Sequence, residues 1–422
     1  MNTIELVPEG AAGTHPKAAT VVEWPTTPGS SATMQADIGW DLAEIGEVGI
    51  AARDLLRVVA GAYLADRTSR RSDLLLRRDL SIVVHVEKPD LWTQPALDIA
   101  ADLLHWLTGD RWSIHIAAAE PPHDRRETTI VPAADAVQLL SGGLDSFCGA
   151  LLQMRHDDHV VHVGHRDQSK AVRHAQNLIE PAVRKSGADY LRWALRPAIT
   201  VKEPTPRTRS LLFMALGVAV ADARGAHRLI MPENGYTSIN PPLEPSRGGP
   251  LTTRSTHPWT FHQVTRLLAA LGLAHVEVSN PFGSLTKGEL VAAAIQPDNA
   301  DDVVLAAQTL SCAKPNAGRP KGGNANLNCG WCIACLVRRG AFLASGLPDQ
   351  TQYLVDVLPS DSRQRFLHYR RHDIAAWRYA VHAGLDECRI LGSGMWPPNT
   401  DFDAVIEICK RGLEELRLVP DP

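Results

Sequence analysis

Apolar residues recur at steps of three and four through residues 40–67, at Leu42, Ile45, Val48, Leu55, Leu56 and Val59, a spacing that predicts one long helix burying one face. A β-branched run at 80–86, a helical stretch at 95–107 and a strand-like run at 112–117 follow, so this part reads as a small α/β module. Ahead of it, residues 1–37 mix Pro, Gly, Thr and Ser with little periodicity, which predicts a loosely ordered leader, part of it able to pair as an edge strand. Residues 120–128, EPPHDRRET, are polar with paired prolines and read as a linker, which bounds the module at 38–131.

Beyond the linker the pattern becomes short apolar strands alternating with helical segments. Strands are predicted at AVQLL, HVVHVGH, YLRWAL, RLIMP and HVEVS, with helices at 147–155, 168–185, 209–223 and 260–271 between or after them. Such alternation implies crossover connections and a mostly parallel sheet with helices on both faces. Ligands of such sheets sit beyond the carboxyl ends of the strands, so the loops after AVQLL, HVVHVGH, YLRWAL and RLIMP are where chemistry is expected. Past residue 340 the chain reads as helical, most strongly at 363–382 and 404–416, giving a unit at 132–345 followed by C-terminal helices at 346–422.

The 422 residues are 44% hydrophobic and 21% charged with a net charge of −4, enough for a full core and more than one unit. The near-neutral balance lacks the basic excess of a phosphate-backbone binder, which makes a nucleic-acid partner unlikely to be the rule here. No secretory signal or membrane-spanning run is recognised, and a soluble cytoplasmic protein is expected. Seven cysteines, three of them in CGWCIAC, have metal-ligand spacing and not the spacing of a disulfide framework.

One string carries the most specific chemistry. The predicted strand AVQLL runs into Ser141, Gly142, Gly143, Leu144, Asp145 and Ser146 and then into an apolar helix. Adjacent glycines let the backbone turn tightly and aim N–H groups at an anion, and the helix adds its positive end. Ser141 and Ser146 can donate hydroxyls, and Asp145 can cap the helix or orient Mg2+. For the glycines alone an ordinary strand-to-helix turn is an equal reading. The full string S-G-G-x-D-S resembles the PP-loop of the PP-loop ATP pyrophosphatases, and it lacks the Gly-Lys-Ser/Thr ending of a Walker loop. That resemblance implies ATP as cofactor, with the loop holding the pyrophosphate that departs as AMP is transferred to a substrate oxygen. Cys148, just beyond, reads as a packed core thiol.

Cys312 in TLSC, with Cys329, Cys332 and Cys335 in the later cluster, can supply four thiolates to one tetrahedral ion. A closed site of this kind is structural and would pin the Gly-, Pro- and Asn-rich loop between Cys312 and Asn328. Zinc and an iron-sulfur cluster both satisfy the spacing.

The loop and cysteines together, in this order, resemble the 7-cyano-7-deazaguanine synthase family, QueC, over roughly residues 136–345, half of the chain. The elements that carry the resemblance are SGGLDS at 141–146, NPFGSLTKGEL at 280–290, TLSC at 309–312 and CGWCIAC at 329–335. It implies an adenine-nucleotide alpha hydrolase-like fold, Zn2+ on the four cysteines, and adenylation of the carboxylate of 7-carboxy-7-deazaguanine with Asp145 and Ser146 at the reacting phosphates. It also makes Lys287 a candidate contact to the reacting phosphate, against the alternative of a surface lysine at a helix start. Where the family has a Val-Pro-Gly-Arg-Asn-like element this chain has PTPRTRSLL, which keeps Arg207 and Arg209 as candidate substrate contacts.

The stretch PENGYTSINPPLEPSRGGPLTTRSTHP has no hydrophobic rhythm, and long loops at strand ends are commonly functional. Glu233, Asn234, Asn240, Arg247, Arg254 and His257 are its candidates for reading a nucleobase edge, a carboxylate or a peptide end. With the extra N-terminal module, this loop makes the chain resemble the long QueC-like proteins of bacterial anti-phage systems, particularly the QatC type. No cysteine precedes Cys148, so no N-terminal glutaminase nucleophile is present to release ammonia. Three readings follow: amide formation between the activated deazaguanine and an amine of a partner protein in defence, synthesis of 7-cyano-7-deazaguanine from ammonia, and a non-catalytic nucleotide-binding scaffold. Sulfur transfer to tRNA is weaker, since no basic tRNA-binding domain is evident.

Overall fold

The computed structural model describes residues 2–16, 20–30, 32–71, 77–119, 126–155, 159–166, 169–198, 200–203, 206–247, 253–314 and 323–422. Parts of the expected linker (120–125), of the long loop after RLIMP (248–252) and of the loop following Cys312 (315–322) lie outside the described residues.

The first half builds a parallel four-stranded sheet from Asn2–Pro8 (β1), Thr20–Trp24 (β2), Asp79–Val86 (β4) and Arg111–Ala118 (β5), in the order β2-β1-β4-β5. Met34–Ala36 (β3), Ile50–Thr68 (α1) and Gln94–Thr108 (α2) lie between those strands in the chain. The loosely ordered leader expected over 1–37 is therefore corrected. The edges of this sheet are β2 and β5, whereas β1 is an interior strand, with Leu6 in register between Val22 and Val84. Its signal is hidden because a charged residue breaks the run: Glu5 is fully buried, accepting from Thr14 N at 2.8 Å and pairing with His85 Nε2 at 2.9 Å.

The single helix expected over 40–67 is also corrected, because α1 starts only at Ile50. Leu42 has φ 58° and Gly46 φ 127°, neither helical, so the chain from Trp40 folds back on the helix. The fold-back is held by Arg57, whose buried guanidinium donates to Trp40 O at 2.5 Å, stacks 4.1 Å from the Trp40 ring, and pairs with Asp54 and Glu87 at 2.8 Å each.

The second half starts with Ala136–Leu139 (β6), Leu144–Gln153 (α3), Val160–His165 (β7), Lys170–Lys185 (α4), Tyr190–Trp193 (β8) and Leu195–Pro197 (β9). Arg209–Arg224 (α5), Arg228–Ile230 (β10), Gly235–Ile239 (α6), Pro258–Ala270 (α7) and Glu277–Ser279 (β11) complete a parallel sheet ordered β11-β10-β6-β7-β8. Strand order reverses between β6 and β10, and such a switch opens a crevice at the carboxyl ends of both strands. The α/β class with a parallel sheet and helices on both faces is thus observed.

The two sheets share packing. β3 pairs antiparallel with β9, α1 lies between the first sheet and α5, and one apolar core runs from Ile4 and Leu6 through Leu139 and Val163. Trp106 of α2 reaches the second half, its Nε1 donating to Thr260 Oγ1 at 2.9 Å.

Lys287–Ala294 (α8), Ala300–Gln308 (α9), Ile333–Ser345 (α10), Leu354–Val357 (α11), Ser360–Tyr369 (α12), Arg371–Ala383 (α13), Glu387–Gly392 (α14) and Phe402–Arg417 (α15) follow. The continuous helix expected at 363–382 is broken between α12 and α13 at Arg370, which is 2% exposed and turns its side chain to the cysteine cluster. Among the described residues, no helix is long and apolar enough to cross a membrane.

Candidate active site

The loop at 141–146 occupies the crevice that the sheet topology predicts. Gly142 has φ +90°, and Gly143, in extended conformation, is the N-cap of α3. The hydroxyls organise the turn: Ser141 Oγ and Ser146 Oγ are 3.1 Å apart, Ser141 N donates to Ser146 Oγ at 3.2 Å, and Ser146 Oγ donates to Gly143 O at 3.0 Å. Neighbouring elements brace it, with Gln176 donating to Ser141 O at 3.3 Å, Tyr190 Oη to Leu140 O at 2.8 Å and Leu310 N to Gly142 O at 2.9 Å. The first turn of α3 brings N–H groups that a helix leaves without internal acceptors, so the turn is built to receive an anion. A Cβ on Gly142 would meet Gln176 Cγ at 3.1 Å and Gln176 N at 3.3 Å. Gly142→Ala is expected to cost about 1–3 kcal/mol, read as a lower urea midpoint; an unchanged midpoint would refute the strain.

Above the loop lies a pocket of about 650 Å3. One polar cluster on its wall holds Asp145, Glu233 and Lys287, and another holds Arg247, Lys314 and Asp373, with Pro241, Pro242, Leu243, Ile333 and Val337 among its apolar walls. Lys287, 4% exposed, bonds Asp145 Oδ2 through its ammonium, and Asn234 Nδ2 donates to Asp145 Oδ1 at 3.3 Å. Burial works to raise the Asp145 pKa, but the Lys287 charge, with hydrogen bonds from Glu233 and Asn234, outweighs it and keeps the carboxyl below the ordinary range. For Glu233, loss of water contact and the adjacent Asp145 charge act together and push the carboxyl well up. The two acids therefore titrate as a pair, with Asp145 held low and Glu233 held high.

The structure brings together Ser141, Gly143, Leu144, Asp145, Ser146, Glu233, Asn240, Arg247 and Lys287 on the pocket wall, and Asn234 through its contact with Asp145. Arg207 and Arg209 do not line the pocket; Arg207 N donates to Asp66 Oδ2 at 2.8 Å, at the junction with α1. Arg254 and His257 do not line it either. The Arg254 guanidinium stacks 4.0 Å from the Trp106 ring, and the His257 ring lies 5.2 Å from Trp106 and 4.6 Å from Trp396. Burial, aided by Arg254, lowers the His257 pKa to about 3, so this histidine is neutral filling in an aromatic junction. Cys148 is fully buried, and burial pushes its thiol up, as a core thiol requires.

Two charged pocket residues, Lys314 and Asp373, escaped the sequence reading. Asp373, 2% exposed on α13, accepts from Arg247 Nη2 at 2.8 Å and Lys314 Nζ at 2.5 Å. Neither Asp373 nor Lys314 sits in a motif, and only the fold brings α13 to the crevice.

Beside the pocket the four cysteines converge. Their sulfurs all lie within 4.8 Å of one another and are buried, with Cys312 to Cys332 at 3.9 Å and Cys329 to Cys335 at 3.8 Å. A tetrahedron of thiolates at the usual zinc-sulfur bond length has edges of about 3.8 Å, so the set fits such an ion. Arg370 Nε donates to Cys329 Sγ at 3.5 Å, placing a positive charge against the thiolates. Asn328 fixes Cys312 by accepting from Ser311 N at 2.9 Å and Cys312 N at 3.0 Å.

With this geometry in hand, the family model described as queuosine biosynthesis protein QueC matches residues 257–346, from the start of α7 to the end of α10. This part of the chain is QueC-like. The similarity extends further in single relatives. The 7-cyano-7-deazaguanine synthase of Ralstonia pickettii (strain 12J) is 27% identical over 246 residues, 52% of this chain and 98% of the relative. That of Thiobacillus denitrificans is 29% identical over 248 residues, 52% of this chain and 97% of the relative. That of Myxococcus xanthus is 26% identical over 249 residues, 52% of this chain and 96% of the relative. About half of this QueC-like chain therefore lies beyond those alignments.

Proposed function

We propose that this protein uses ATP to adenylate the carboxylate of a 7-deazaguanine, 7-carboxy-7-deazaguanine, and passes the acyl group to an amine. The observation that carries the reading is the loop at 141–146 with Lys287 against Asp145 on the wall of one pocket. The names of the relatives supply the substrate class.

A carboxylate is a poor electrophile because its leaving group would be oxide. In the first step a carboxylate oxygen bonds to the α-phosphorus of ATP, the bond to the bridging oxygen breaks, and pyrophosphate leaves. The loop N–H groups, the Ser141 and Ser146 hydroxyls and Lys287 receive the charge that develops on it. In the second step the amine nitrogen bonds to the acyl carbon, AMP departs with the bonding pair, and the nitrogen loses a proton. Mg2+ accompanying ATP would meet the carboxylate of Asp145, whose oxygens suit a hard cation, and neutralise phosphate charge there. Zn2+ on Cys312, Cys329, Cys332 and Cys335 would act as a structural cross-link. A reduced metal-bound cysteine set is in keeping with a cytoplasmic location.

We assign the amine to a partner protein, in an anti-phage role like that of the QatC-type proteins. Support comes from the second polar cluster of the pocket wall, Arg247, Lys314 and Asp373, which is separate in sequence from the loop at 141–146, and from the chain beyond the matched segment. With ammonia as the amine, the product is the amide, and a second ATP, activating the amide oxygen so that it leaves with AMP, would give the nitrile for which the relatives are named.

The test is mass spectrometry of the protein incubated with ATP, Mg2+ and 7-carboxy-7-deazaguanine, with ammonia or with proteins encoded beside it. A partner protein gaining the deazaguanine acyl mass is the expected result. Small-molecule amide or nitrile alone would reject protein conjugation and retain adenylation. No AMP under any condition would reject both and leave a non-catalytic scaffold.

A further inference from the structure

The residue at the centre of the proposed phosphate site, Lys287, is the first residue of α8, and its surroundings are held from the far end of the chain. Thr286 is the N-cap of α8 and forms a capping box with Glu289. Onto this turn α15 lays two side chains one helical turn apart. Arg411 bonds the Glu289 carboxylate and donates from Nη2 to Ser284 O at 2.9 Å. Glu415, 8% exposed, accepts the Thr286 hydroxyl, and its Oε1 and Oε2 lie 3.0 and 3.1 Å from Gly288 N. The backbone on both sides of Lys287 is thus tied to α15.

Two glycines make the approach possible. A Cβ at Gly288 would lie 2.5 Å from Glu415 Oε1, and one at Gly340 of α10 would lie 2.6 Å from Glu415 O. The carboxylate therefore seats directly against the N-terminus of α8, satisfying an N–H that the helix leaves without an internal acceptor and a hydroxyl donor beside it.

We propose that Glu415 is a positioning residue for Lys287, fixing the first turn of α8 so that the ammonium is delivered to Asp145 and to the phosphates bound above it. α15 is then part of the catalytic unit, although it lies outside the matched segment 257–346. The inference deepens the adenylation reading and rests on it for the role of Lys287, but the placement of Lys287 is measurable without turnover.

The experiment compares the full-length protein with E415A and E415Q in two readouts: steady-state pyrophosphate release, and labelling of Lys287 by reductive methylation followed by peptide mass spectrometry. E415A is expected to lose about tenfold or more in kcat with the KM for ATP within about twofold, because the lysine is displaced while most of the nucleotide site remains. Its Lys287 labelling should rise several-fold. E415Q keeps an oxygen for the Gly288 N–H and the Thr286 hydroxyl and should fall between E415A and the wild type in both readouts. Should E415A not fold, E415Q, which keeps the side chain's size and one acceptor oxygen, carries the comparison with the wild type, and wild-type labelling and kcat in it would overturn the proposal. Wild-type labelling in a folded E415A, or equal effects of E415A and E415Q, would overturn the proposal. Absence of pyrophosphate release from the wild type would instead count against adenylation, and the labelling would still decide the positioning.

Discussion

Replacing Lys287 by alanine is expected to lower pyrophosphate release by at least about 100-fold, the scale on which a single preorganised charge or donor at a developing anion is felt. Lys287 is 4% exposed and its ammonium is bonded to Asp145, so the side chain is already buried and aimed before any ligand arrives. Its removal leaves Asp145 and Glu233 facing each other without the cation that now holds the Asp145 carboxyl below its ordinary range. The sign of the second effect follows. With the depressing charge gone, the Asp145 carboxylate takes up its proton at higher pH than in the wild type, and residual activity in K287A should be lost earlier on acidification. The measurement is a pH series of pyrophosphate release for both proteins, with melting curves to confirm the fold. Wild-type rates in a folded K287A would remove the lysine from the site, and an unmoved acid limb would reject the coupling to Asp145.

What the sequence made legible here was chemistry carried by consecutive residues and strands with uninterrupted apolar runs. The string at 141–146 fell at the switch between β6 and β10 because short buried strands and their crossover helices were readable, and strand order then fixes the crevice. The four cysteines were legible by spacing and meet in space. Four kinds of feature were not. β1 was hidden by a buried acid, Glu5, whose partner His85 is on another strand. The turn at 40–49 kept helical spacing by coincidence, and Arg57, remote in sequence, holds it back on α1. In the long loop, residue type suggested Arg254 and His257 as ligands, whereas both are consumed by aromatic packing with Trp106 and Trp396. Asp373 and Glu415 sit in amphipathic helices without any motif, and only tertiary packing brings one to the pocket wall and the other to the start of α8.

Replacing Cys332 by serine is expected to have the largest effect on stability, on the order of 4 kcal/mol or more, because four buried thiolates around one ion close a cross-link that no apolar contact replaces. For a protein of this size that corresponds to a fall in melting temperature of roughly 5 °C. Metal analysis of the full-length protein should find zinc, with none of the visible absorption of an iron-sulfur cluster, and C332S should lose it, while C148S, altered outside the cluster, should retain it. The effect should reach the active site by a short route. Cys312 is held beside Cys332, Asn328 ties the Cys312 backbone, and two residues earlier Leu310 N donates to Gly142 O in the loop at 141–146. Ser311 and Leu310 also line the pocket, so loosening this segment removes a wall and a brace of the anion-binding turn together. A chelator should therefore lower the melting temperature and abolish pyrophosphate release in parallel, with zinc restoring both. A metal-free protein that melts and turns over like the untreated one would show that the four thiols hold the segment by packing alone.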